Sequence, residues 1–97
     1  MSYEISGEQA DALESLDPSQ IRERIIEYND PKYGVGNPSD IERALEYIKR
    51  TSQQIRTAME IPVTTRDALD LGSKWQSRMN VLLLDMGAVA DELEGRV

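Results

Sequence analysis

The chain has 97 residues, 39% of them apolar and 30% charged, with a net charge of −7 and neither cysteine nor histidine. Length and composition fit one folded domain rather than a disordered tail. The acidic balance argues against a nucleic-acid-binding face, which concentrates Lys and Arg to displace counterions; the longest basic cluster here is only Lys49-Arg50. Without Cys or His there is no disulfide framework, no thiolate metal site and no Ser-His or Cys-His nucleophile.

Met1-Ser2-Tyr3-Glu4 carries neither a basic n-region nor an apolar h-region, so no secretory signal is expected. The longest weakly interrupted apolar run, Val81 to Ala90, contains Asp85 and is about half the length of a membrane span. Cytoplasmic residence without membrane contact is the expectation.

The first predicted helix is short, from Gly7 to Ser15. Ser6 caps it, and Gln9 completes a capping box three residues later. Ala10, Leu13 and Leu16 give it a thin apolar edge, and so short a helix is stable only where it packs. The 1–16 segment is therefore expected to fray unless something holds it. A second helix is better marked, with Asp17 as N-cap, Pro18 in the first helical position and Gln20 in the third. Leu16 and Ile21 bracket its start as a hydrophobic staple. It should reach Tyr28, with Ile21, Ile25 and Tyr28 on one side and Ile26 pointing elsewhere.

Residues 29–38 hold two prolines, two glycines and three Asx residues, which makes them a loop. Tyr33 and Val35 are expected to tuck onto the end of the bundle; recognition of a partner is their alternative role. Gly34-x-Gly36 is no phosphate loop, because it follows no strand and lacks the further glycine and lysine.

A third helix is predicted after Ser39, with Glu42 completing a second capping box, and Pro62 stops it just beyond about Glu60. Ile41, Leu45, Ile48, Ser52, Ile55 and Met59 recur at heptad spacing. The fourth helix is predicted to open at Thr64, with Asp67 three residues on, and to run to about Glu94. Its seam is Ala68, Leu71, Trp75, Met79, Leu82, Met86, Val89 and Leu93. Gly72 and Gly87 each weaken it by up to about 1 kcal/mol, so either is a place for a bend.

No strand pattern occurs. These elements predict an all-α fold in which 1–97 is a single domain. Residues 40–94 form an antiparallel hairpin of two long helices with a coiled-coil-like seam, and one or two short N-terminal helices pack against it. The third helix would span roughly 30 Å and the fourth roughly 45 Å, so the fourth overshoots from about Leu84 onward.

Val81-Leu82-Leu83-Leu84 is apolar around the whole helical circumference, and such a helix is normally surrounded. Leu82 lies on the seam; Leu84 points away from it, with Val81 and Ala88 beside it. The second helix can cover either the overshoot or this outer face. If it covers the overshoot, Val81, Leu84 and Ala88 are left for another chain. A second candidate stripe, on the third helix, runs through Ala44, Tyr47, Thr51, Gln54 and Ala58, where small residues around one tyrosine allow close approach. Asp67, Lys74, Arg78, Asp85 and Glu92 flank the fourth helix in an order typical of register-setting charges.

Carboxylate pairs at helical spacing exist at Asp11/Glu14, Asp67/Asp70 and Asp91/Glu94, but each sits at a helix end or on the marginal first helix. No cofactor, metal or small-molecule substrate is expected. Trp75, at a seam position, is expected to be core. The function expected is a non-enzymatic protein–protein interaction or assembly module: a self-associating adaptor, a secretion chaperone or a virion assembly component. It would act through an apolar helix face and form homo-oligomers without binding nucleic acid directly. The alternative is an acidic inhibitor that mimics nucleic acid and blocks a basic partner.

Overall fold

The computed structural model describes residues 5–96, so the reading of Met1–Glu4 lies outside the described residues. All regular structure among them is helical: α1 (Gly7–Ser15), α2 (Pro18–Tyr28), α3 (Pro38–Met59), α4 (Val63–Ala68) and α5 (Trp75–Glu94). No helix among the described residues is long and apolar enough to cross a membrane.

The first two helices begin where their caps predict. Ser6 Oγ accepts from the Gln9 N–H at 3.1 Å, and the Ser6 N–H donates to Gln9 Oε1 at 3.0 Å. The Asp17 carboxylate accepts from the N–H groups of Ser19 and Gln20, and Pro18 follows it. α1 is a formed helix because α3 lies under it: Ala12 is buried, and Glu8, Asp11 and Ser15 line a cleft with Gln53, Gln54 and Thr57. A second cleft brings Ser15, Gln20 and Ile21 to Tyr47, Arg50 and Thr51. The chain thus descends α3 from Thr57 to Tyr47 as it passes from α1 into α2.

The helix starts after the loop differ from expectation. α3 opens at Pro38 rather than after Ser39, with Asn37 as N-cap and no side-chain cap bond. Proline suits the first helical position because its missing N–H is one that no intrahelical acceptor needs. Asn37 Nδ2 instead donates to the Asp40 carboxylate at 2.9 Å. α4 likewise begins without a side-chain cap from Thr64.

The larger correction is the helix predicted from Thr64 to Glu94, which is broken. α4 ends in a Schellman-type stop: the Leu71 N–H donates to the Arg66 carbonyl at 3.3 Å and the Asp70 N–H to the Asp67 carbonyl at 3.1 Å. Asp70 sits in the left-handed region at φ 58° and Gly72 at φ 88°. Arg66 brackets the break. Its guanidinium lies 5.6 Å from the centre of the Trp75 ring, which is half-buried, and donates to Gln76 Oε1 at 3.1 Å.

The break displaces α5 along α3. A direct turn at 61–64 would place Ser52 opposite a residue near Leu71. Instead Ser52 Oγ lies 3.9 Å from Met86 Sδ, and Leu45 and Lys49 share a groove with Ala90 and Glu94. The predicted overshoot beyond Leu84 therefore does not occur, because α3 accompanies the far end of α5. On α5, Met79, Leu82, Met86, Val89 and Leu93 are buried as their periodicity predicts. On α3 the buried row is Ile41, Ala44, Ile48, Thr51, Ile55 and Ala58. That row lies between the two stripes read from the sequence, because α1 and α5 bury α3 from different sides.

α2 packs on α5. Pro18 and Arg22 lie beside Lys74, Ser77, Arg78 and Val81, and beyond the end of α2 the Arg96 guanidinium donates to the carbonyls of Asp30 at 3.1 Å and Tyr33 at 3.3 Å. Tyr33 fills the end of the bundle, edge-on to Tyr28 at 5.0 Å, and Tyr28 meets Tyr47 at 5.7 Å. Burial raises the pKa of both Tyr28 and Tyr33, so these phenols stay neutral through the physiological range. Val35, expected to tuck in with Tyr33, is 71% exposed, because it sits between Gly34 and Gly36, both at positive φ.

Asp70→Gly is expected to raise stability by about 0.5–1 kcal/mol in urea denaturation, since glycine relieves a left-handed residue. In a continuous helix the same change would lower stability by about 0.3 kcal/mol, because Asp is itself a poor helix former, so the sign tests the break. At Gly34 an added Cβ would lie 2.6 Å from Ile41 Cγ1, whereas at Gly36 it meets nothing within 4 Å. Both positions have positive φ, so Gly34→Ala should destabilise by at least about 1 kcal/mol more than Gly36→Ala.

Candidate interaction surface

The three residues read as an outer face of α5 are all exposed: Val81 by 54%, Leu84 by 74%, and Ala88 with them. Their placement follows from helical periodicity. Leu82 and Met86 turn inward, and Leu84 lies nearly opposite both. Seven-residue spacing sorts this side of α5 into three adjacent rows: Lys74–Val81–Ala88, Ser77–Leu84–Asp91 and Arg78–Asp85–Glu92. The first two rows carry the apolar surface and the third carries charge along its rim.

α2 borders this face without closing it. A groove of about 420 Å³ between the two helices is lined by Pro18, Arg22, Lys74, Arg78, Val81 and Asp85, among others. Ile26 is 67% exposed and stands one turn beyond Arg22 on the same ridge of α2. Among the described residues, three of the four exposed large apolar side chains, Ile26, Val81 and Leu84, thus belong to α2 and α5.

The stripe read on α3 is differently placed. Thr51 and Ala58 are buried and Tyr47 is half-buried, because α1 and the start of α2 lie across them. The small residues there do permit close approach, but by the chain's own N-terminal helices. Tyr33 is half-buried in the tyrosine cluster, and Val35 stands isolated at the loop tip. The structure brings Val81, Leu84 and Ala88 together and sets the other candidates elsewhere.

Sequence reasoning missed the contribution of α2 to this surface. Arg22 and Ile26 carry no motif, and which ridge of α2 faces α5 depends on where the break sets α5. The flank charges Lys74, Arg78, Asp85 and Glu92 were legible, but their pairing was not. Glu92 is joined to Arg96 at 3.0 Å in a partly exposed ion pair, whereas among the described residues Arg22, Lys74 and Arg78 take part in none. No group of three or more carboxylates among the described residues is placed to hold a metal ion.

Leu84→Gln should change the stability of the single chain by less than about 0.5 kcal/mol, as expected at an exposed site with little change in helix propensity. Leu82→Ala, two residues away, should cost roughly 2–5 kcal/mol because it opens a cavity. Equilibrium urea denaturation of the two variants checks the contrast. Comparison with family models, with curated proteins and with solved structures finds no match to this chain.

Proposed function

We propose that the protein is a non-enzymatic interaction or assembly module whose working surface is the outer face of α5. In this reading α3 and α5 form an antiparallel hairpin with a heptad-like seam. α1 and α2 stiffen it, and the face bearing Val81, Leu84 and Ala88 meets other protein. One observation carries the reading: Leu84 is 74% exposed at the centre of a helix whose opposite side is fully buried. Each large apolar side chain covered on association contributes on the order of 1.5–3 kcal/mol, so the leucine and the valine supply a usable driving force.

A photo-crosslinking residue in place of Leu84 should yield protein adducts in cells that make the chain. The same residue in place of Glu42, exposed on the back of α3, should yield few. Equal yields at the two positions would overturn the proposal. When cell extract is irradiated instead, the yield of adducts at 84 should hold as salt is raised before irradiation, because apolar burial is insensitive to screening. A yield that collapses as salt present during irradiation rises to about 0.5 M would favour the acidic inhibitor instead.

A further inference from the structure

The charges around the α5 face are ordered, and their order selects a partner. Toward the start of the helix lie Lys74 and Arg78, joined across the groove by Arg22 of α2. Toward its end lie Asp91 and Glu92, and Glu92 stands 56% exposed while the Arg96 paired with it is only 18% exposed. Between these ends sit Val81, Leu84 and Ala88, with Gly87 beside them offering no side chain to hold a second helix away. The surface is therefore basic at one end, apolar in the middle and acidic at the other end. A two-fold axis at its centre makes such a surface complementary to itself.

We infer that the occupant of this face is a second copy of the same chain, with the two α5 helices antiparallel and crossing near Leu84. An axis between Leu84 and Asp85 sets Val81 against Ala88 of the second copy, and Leu84 against its counterpart. In antiparallel helix pairs the charges that meet are those on the same flank. The row Arg78–Asp85–Glu92, with Lys74 beside it, then places the basic end of each copy over Glu92 of the other. A parallel pair would set this row against the opposite flank of the second helix, Asn80–Gly87–Glu94, where Arg78 meets no carboxylate, so the charges favour the antiparallel pair. Asp85 faces its own counterpart across the axis, and Arg22, in the same groove, is placed to offset that repulsion.

This assignment rests on the interaction surface proposed above and names its partner. The test uses the full chain and two charge variants. The wild type is expected to be a dimer at about 100 µM by light scattering, because one helix face per copy buries a modest area and holds a modest affinity. Arg78→Glu and Glu92→Lys should each weaken the dimer by about tenfold or more, since two-fold symmetry repeats each repulsion. Mixing the two variants should restore the dimer, because Glu at 78 then meets Lys at 92 and the unchanged pair meets at the other end. Each variant alone should keep the wild type's helical circular-dichroism signal, so that a failure to recover reports the contact rather than the fold. A wild type that stays monomeric at this concentration overturns the self-pairing. Adducts at position 84 of a mass other than twice the chain's would then leave the wider surface intact. A dimer insensitive to Leu84→Glu, or variants that do not recover on mixing, would overturn the antiparallel arrangement.

Discussion

Two residues with positive φ, Asp70 and Gly72, turn the backbone between Ala68 and Trp75, and the register of α5 against α3 follows from that turn. The helix stop at α4 consumes the residues that a direct hairpin would have paired with the second half of α3. α5 consequently begins late and sets Met86 beside Ser52. That register brings the end of α5 alongside the first half of α3, and from there Arg96 reaches the carbonyls of the 29–37 loop. Arg66, held against Trp75 and Gln76, ties the two sides of the break together.

The same register decides which surfaces are sheltered. α1 covers the second half of α3, and α2 lies mainly along α5 while touching α3 through Ile21 and Tyr28. The result is a rod of 54 × 23 × 17 Å, too thin for any of its helices to be enclosed on every side, since a single helix with its side chains is about 10–12 Å across. For α3 this is harmless, because its back is polar. For α5 it is not. The apolar circumference at 81–84 presents Leu84 and Val81 to water, with Ile26 of α2 adding a third exposed side chain. The surface around them is neither uniformly acidic nor uniformly apolar, although the chain as a whole carries seven excess negative charges. Basic side chains collect where α2 meets the start of α5, and acidic ones collect at its end.

Much of this fold could be read from local signals. Ser6 with Gln9, and Asp17 with Pro18, mark their helices to the residue, because capping is chemistry between near neighbours. The exposure of Leu84 and the burial of Leu82 and Met86 follow from a 3.6-residue period that the break leaves intact within α5. What local reading could not supply was the outcome of competition. Leu69-Asp70-Leu71-Gly72 continues an apolar rhythm; Gly72 did mark a place for a bend, but the left-handed aspartate two residues earlier, which completes the stop, carried no signal. Thr51 and Ala58 read as a second open stripe because nothing in the sequence says that a nine-residue helix will lie on them. α1 is formed because α3 receives it, and α3 is covered because α1 forms. For the candidate surface, the α5 residues were legible, whereas the contribution of Arg22 and Ile26 depended on how α2 rests on α5.

The state of the α5 face differs between one chain alone and two together. Because the chain contains no cysteine, Leu84→Cys creates a single thiol whose alkylation rate reports solvent access at that position. Rapid labelling in dilute solution that slows as chain concentration rises is the result expected of a face open in the monomer and covered by a second copy. Slow labelling at every dilution would mean that the chain shelters position 84 itself. Rapid labelling at every concentration would mean that no second copy comes to cover it.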